Sequence, residues 1–247
     1  MFTGLYITST GMVSQQIAQE TISNNLANLT TDGYKRDVVA FQSFPEVLLS
    51  RLERNPVPLG GASWGQRVGG VVVDYSQGAP METGRQLDLA LDGPGFFTLQ
   101  TPEGLQYTRS GSFLVNAQGH LISPQGYQVL GESGPLTLNS NEITITSDGR
   151  VISGGQIVDR LRLTGFTNSA AMTKVGQNLF LPPPGESGTT VTNARVMQGY
   201  LEQSNIDLAT EVADAMTALR IYEAGQRVLL AHNQLLDRAV NQVGRLR

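Results

Sequence analysis

From Leu208 to Val243 the chain reads LATEVADAMTALRIYEAGQRVLLAHNQLLDRAVNQV. Leu208, Val212, Ala215, Leu219, Tyr222, Gln226, Leu229, Asn233, Leu236, Val240 and Val243 recur at alternating spacings of four and three. All but Gln226 and Asn233 are apolar, so the spacing predicts a long helix that shares a coiled-coil seam with another helix. At helical rise such a segment spans roughly 55 Å. Asp207, Glu211 and Asp214 near its start, and Arg238, Arg245 and Arg247 near its end, complement the helix dipole. Gln226 and Asn233 either set register and partner number or mark where the seam meets solvent.

The opposite end of the chain offers a partner. Between Met1 and Thr31 the only charged side chain is Glu20, and the stretch reads as helix from about Leu5 to Ala27. Leu5, Met12, Ile22, Leu26 and Leu29 fall on one seam of a seven-residue repeat, with Thr8, Gln15 and Gln19 as its polar members. A solvated helix carries charge on its outer face. This one is almost uncharged all round, so its polar face is expected to meet protein as well, with ordering tied to assembly.

The middle of the chain is punctuated differently. Val71–Val73, Leu87–Leu91, Phe96–Gln100 and Glu142–Thr146 are β-branched, aromatic or alternating, and turns such as Gly93-Pro94-Gly95, Pro102-Glu103-Gly104 and Ser147-Asp148-Gly149 separate such runs. The fold class expected is α+β: long N- and C-terminal helices pairing as a coiled coil, with an inserted, mostly-β middle domain. Residues 37–70 are expected as a linker or extended segment, 71–196 as the β-rich domain with a Gly/Pro linker at 182–193, and 1–36 and 197–247 as the helical ends.

Composition narrows the function. The chain has 247 residues, net charge −4, 15% charged residues and no cysteine. Nucleic-acid binding, a polybasic membrane patch and thiol or disulfide chemistry are all disfavoured. Only two of the 17 basic residues are lysines, Lys35 and Lys174. The first residues, Met1 to Val13, have no basic charge and no compact apolar core, so no cleavable signal is expected. Gly61-Ala62-Ser63-Trp64-Gly65 matches a nucleophile elbow, but prolines and glycines surround it, and its base could come only from His120 or His232. A secreted hydrolase using Ser63 is therefore the remote alternative. The two histidines form no ligand cluster, and Gly93-Pro94-Gly95 lacks the donors of a phosphate loop. Asp88 and Asp92 read as a solvated strand edge. No catalytic residue, metal, cofactor or small-molecule substrate is expected.

Three blocks resemble the bacterial flagellar rod and hook proteins. The first is Ile22-Ser23-Asn24-Asn25-Leu26-Ala27-Asn28-Leu29-Thr30-Thr31-Asp32-Gly33-Tyr34-Lys35-Arg36. The second is Leu91-Asp92-Gly93-Pro94-Gly95-Phe96-Phe97, with Tyr107-Thr108-Arg109-Ser110-Gly111-Ser112-Phe113, Gly119-His120-Leu121 and Gly126-Tyr127. The third runs from Gln198 to Asp207, followed by Arg220-Ile221-Tyr222-Glu223. They lie in the family's order and reach nearly end to end. Gly131–Leu136 with Glu142–Ile145 resembles the proximal rod members somewhat more than the distal ones. Leu219 and Ile221 depart from the Gln and Ala that many members carry there, yet keep the seam apolar.

The resemblance implies that the terminal helices form the inner tube of an axial filament and the β-rich part its outer layer. It implies a structural subunit of the basal-body rod that assembles helically with copies or relatives, reaches toward the hook and is exported by the flagellar type III apparatus. The assembly residues it points to, together with the seams, are Leu5, Met12, Ile22, Asn24, Asn25, Leu26, Ala27, Asn28, Gly33, Tyr34, Leu208, Val212, Leu219, Tyr222, Leu229, Leu236 and Val240. Gly33 is expected to end the first helix in a left-handed cap, with Tyr34 packing where the chain turns away.

Overall fold

The structure is a computed structural model and describes residues 2–44, 47–51, 57–62, 65–140, 142–186, 188–191 and 193–243. It is α+β, with one long helix at each end and a mostly-β middle. The first helix, α1, runs Phe2–Ala27, and the last, α2, runs Leu208–Val243. Asp207 caps α2: its carboxylate accepts from Ala209 N at 3.0 Å and from Thr210 Oγ1 at 2.8 Å, satisfying a backbone donor that the first turn leaves open.

The chain divides into two compact units. One comprises Met1–Ala27, Asp37–Val72 and Asp207–Arg247; the other comprises Asn28–Arg36 and Val73–Ile206. Residues 37–70, expected as a linker or extended segment, carry strands. Asp37–Ser43 pairs with Gln66–Val73, and Val47–Arg51 with Val57–Ala62. Val38, Val39 and Val71–Val73 are β-branched, and extended backbone of that kind gains a ladder by pairing with itself. In this first unit α1 lies between α2 and the outer ribbon, with the Tyr6 and Phe44 rings 6.3 Å apart.

The second unit is built around the antiparallel hairpin Phe96–Thr101/Gly104–Thr108. Leu179–Leu181 and then Thr173–Gly176 extend the sheet beyond Gly104–Thr108. On the other side Phe96–Thr101 pairs with both Gln128–Val129 and Leu163–Gly165. A three-stranded sheet (Ile143–Ile145, Arg150–Ser153, Gln156–Arg160) and the pair Leu89–Asp92/Arg195–Gln198 complete the β body. Thr189–Thr190, inside the expected 182–193 linker, pairs with Leu163–Gly165.

Alternation along these strands sends Phe97, Leu99, Leu89, Leu91 and Val151 into one core, where Phe97 meets Phe113 edge-on at 5.2 Å. A second cluster holds Phe96, Tyr107, Met172 and Phe180. Gly111 is needed for close approach, because a Cβ there would fall 1.6 Å from Leu89 O. Phe97 is fully buried. Phe97→Ala is expected to destabilise the β body by about 3–5 kcal/mol, measured as a lowered urea midpoint with unchanged slope.

Candidate assembly surface and its anchor

The two helices pack antiparallel. A Cβ on Gly4 would meet His232, a Cβ on Gly225 would meet Met12, and Asn25 Nδ2 donates to Glu211 Oε1 at 3.3 Å. These contacts advance along α1 as they retreat along α2. Glu211, Ala215, Ala218, Tyr222, Gly225, Leu229, His232 and Leu236 are the buried or half-buried positions of α2. That is a four-three seam, and it shares only Ala215, Tyr222, Leu229 and Leu236 with the stripe read from the sequence. Of the rest of the stripe, Leu208, Val212, Leu219 and Val240 are exposed, Leu219 by 47% and Val240 by 70%. Small side chains explain the rotation: Ala218 and Gly225 let α1 approach where Leu219 and Gln226 would hold it off.

On α1, Ser14, Gln15, Ala18 and Asn25 are buried, and Leu5, Met12 and Ile22 are half-buried. Asn24, Leu26 and Ala27 are exposed, and Asn28 is half-buried. Ser14 and Asn25 are buried with partners. Ser14 Oγ donates to Thr10 O at 2.9 Å. Asn25 exchanges a reciprocal pair of bonds with Asp37: Nδ2 donates to Asp37 O at 2.8 Å, and Asp37 N donates to Oδ1 at 2.9 Å. An amide can close such a pair without the desolvation penalty of an ion.

A second feature lies wholly within the β unit. Residues 28–36 form a strap across it, and the strap's end is held by a buried ion triad. Lys35 Nζ lies 2.5 Å from Glu202 Oε1, and Arg109 NH1 lies 3.3 Å from Glu202 Oε2. Lys35 and Glu202 are each 1% exposed. Lys35 Nζ also donates to Ser76 O at 2.7 Å, Arg109 NH2 to Gly93 O at 2.8 Å, and Gly78 N to Glu202 Oε1 at 2.9 Å. Burial holds Lys35 below the ordinary lysine range, with Glu202 opposing it, and lowers Arg109 in the same way. The Arg109 guanidinium also lies 5.3 Å from the Phe96 ring centroid.

The strap is tied along its length. Gly33 N donates to Glu202 O at 2.6 Å, and Asn178 Nδ2 donates to Asp32 O at 3.1 Å. Lys174 Nζ donates to Lys35 O and stands 4.1 Å from the centroid of the Tyr34 ring. Arg36 N donates to Asn205 Oδ1 at 2.8 Å. Gly33 does have positive φ, +68°, but α1 ends six residues earlier. Its role is close approach rather than a helix cap, since a Cβ there would fall 2.4 Å from Ser110 N. Sequence reasoning quoted Lys35, Arg109 and Glu202 inside three separate blocks and did not join them. A signal was present: both lysines of the chain act at this strap.

Other candidates resolve into structure. Asp88 is fully buried rather than a solvated edge, accepting from Thr83 Oγ1 at 2.7 Å and bridging antiparallel to Ser112; Asp92 is exposed. His120 Nδ1 lies 3.0 Å from Thr137 Oγ1 beside a turn, and His232 lies in the helix seam. Ser63 lies outside the described residues. A cavity of about 240 Å³ beside the strap is lined by Thr30, Asp32, Ser110, Ser112 and Asn178, among others. Burial, and next the charge of Asp88, raises Asp32 above the usual carboxylate range. Among the described residues no cluster of His, Asp or Glu could hold a metal ion, and no helix is long and apolar enough to cross a membrane.

Comparison with known proteins accounts for the three blocks. Residues 5–35 match the flagella basal body rod protein model, residues 90–153 the flagellar hook protein FlgE/F/G D1 domain, and residues 197–243 the flagellar basal body rod FlgEFG protein C-terminal model. The flagellar basal-body rod protein FlgG of Bacillus subtilis is 30% identical over 98% of this chain and 99% of its own length. That of Caulobacter vibrioides is 33% identical over 93% and 95%. The flagellar hook-basal body complex protein FlhO of Bacillus subtilis is 27% identical over the full length of both. Fold and matches together define a structural protein of the flagellar axis, not an enzyme. The chain belongs to the flagellar basal-body rod protein family and is a structural subunit of the basal body. Gly131–Leu136 leaned toward the proximal branch, whereas the rod relatives named here are FlgG, the distal one.

Removing the triad's single anion should be costly. Glu202→Leu leaves Lys35 and Arg109 buried without a counter-charge, and is expected to lower the stability of the β body by about 3–5 kcal/mol in chemical denaturation. Deleting residues 1–36 should lower the thermal midpoint of the β body more than deleting 1–27, because only the longer deletion removes the strap.

Proposed function

We propose that this subunit polymerises through its terminal helices, paired as an antiparallel coiled coil, and that the filament so built carries motor torque along the rod to the hook. The observation that carries this reading is that Leu208, Val212, Leu219 and Val240 are left uncovered by α1 and exposed along a helix of 36 residues. At helical rise that face is about 54 Å long. The outer face of α1 matches it in character, with Tyr6, Ile7, Val13 and Leu26 exposed and Glu20 its only charge.

Two unlike faces that each want cover make a heterologous contact. Contacts of that kind extend into a helix unless the rotation closes. Long helices stacked lengthwise resist twist and bending. The terminal segments therefore serve the axial core, and the β unit, residues 73–206 together with the strap, serves as its outer layer. Asn24, Leu26, Ala27 and Asn28 extend the α1 face toward neighbouring rod subunits, and the hook is the partner at one end of the stack. Delivery through the flagellar type III apparatus suits a chain whose assembly face is completed only by its neighbours.

A pair of adjacent substitutions tests the division of the α2 surface. Ala218 is 4% exposed and faces α1, so Ala218→Asp should unpair the helices and reduce the helical circular dichroism of the monomer. Leu219→Asp should leave that spectrum unchanged and abolish motility and recovery of rods in isolated basal bodies. Normal rods from Leu219→Asp would refute the reading.

A further inference from the structure

Ala27 ends α1 six residues before Gly33, and Glu202 stands six residues before Leu208 opens α2. The chain on either side of the β unit is thus gathered at one place within it, where Gly33 N meets Glu202 O and Lys35 meets the Glu202 carboxylate. We propose that Lys35, Arg109 and Glu202 are positioning residues: the triad docks the strap so that α1 returns along α2 in a single register, and serves that specificity rather than net stability.

Three observations carry the proposal. The triad is a poor way to stabilise a core. It buries two cations against one anion, and Arg109 Nε is buried with no hydrogen-bond partner. Apolar or neutral side chains of the same volume fill such sites at equal or better stability. Next, the strap is held chiefly by directional bonds. The contacts of Asp32, Gly33, Lys35 and Arg36 are directional bonds to particular atoms, so a slip of one residue breaks all of them, whereas an apolar strap could slide. Finally, docking shortens the tether. With the strap docked, six residues separate the end of α1 from Gly33 and six separate Glu202 from the start of α2, so α1 can shift along α2 only as far as those short connections allow.

The test uses the full chain as a dilute monomer, followed by amide hydrogen exchange. The neutral replacement combines Lys35→Met, Arg109→Met and Glu202→Gln, whose amide oxygen can still accept from Gly78 N. Expected are an unchanged or raised melting temperature of the β unit, unchanged protection of Phe96–Thr108, and a loss of protection across Ser14–Asn25. A second variant, Gly33→Ala, keeps every charge but lifts the strap by collision with Ser110, and should accelerate the same amides while sparing Phe96–Thr108. Loss of protection at Phe96–Thr108 in the neutral variant would make the triad a core stabiliser and overturn the proposal. Unchanged exchange of α1 in both variants would overturn it, as would an α1 already unprotected in the wild type.

Discussion

A carboxylate with no access to water must find its compensation inside the protein, and Glu202 finds it in two cations and a backbone amide. Lys35, Arg109 and Gly78 reach it from three distant parts of the chain, so the groups cannot be satisfied unless the strap, the central hairpin and the C-terminal segment are all in place. Low local polarity makes such a site demanding: each group is tolerated only with its partners. The choice of cations follows from their chemistry. All the basic residues other than Lys35 and Lys174 are arginines. A compact ammonium on a slim stem fits a narrow slot beside Ser76 O, while the broader guanidinium of Arg109 spans from Glu202 to Gly93 O and lies over Phe96.

The helical unit follows a different economy. Its internal seam uses small and polar residues, such as Ala218, Gly225, Gln15 and Asn25, and leaves several of its larger apolar side chains outside. In a protein that works alone this arrangement would be wasteful, because exposed leucine and valine gain nothing from water. In a subunit whose neighbours supply the missing cover it is the expected arrangement. Close approach of α1 and α2 through small residues gives the helical unit a slender core and leaves the remaining apolar area exposed. Asn and Gln serve inside the seam because an amide can be donor and acceptor at once and needs no counter-ion.

How far the sequence could be read depended on how local the deciding interaction was. The two terminal helices, the β-rich middle and the tight turn at Gly93-Pro94-Gly95 were legible because periodicity and turn chemistry are properties of neighbours in the chain. The three blocks carried the family for the same reason. The face of α2 that meets α1 was misjudged by one residue at alternate positions: hydrophobicity singles out Leu219, but steric fit selects Ala218, and fit is a property of two helices together. Asp88 was placed at a solvated edge because nothing near it in the chain reveals the sheet that buries it. Gly33 was recognised as left-handed, yet its reason lies in the backbone of Ser110, far along the sequence.

The sequence alone therefore determined that the two ends are helical and the middle mostly strand, that the N-terminal helix is almost uncharged, and that the chain is of the flagellar axial kind. Tertiary structure decided which side chains of α2 are covered inside the molecule and which are left exposed. It also decided that Lys35, Arg109 and Glu202 are one group rather than three. Burial and pairing depend on the distance between atoms many residues apart, and no local pattern encodes that distance.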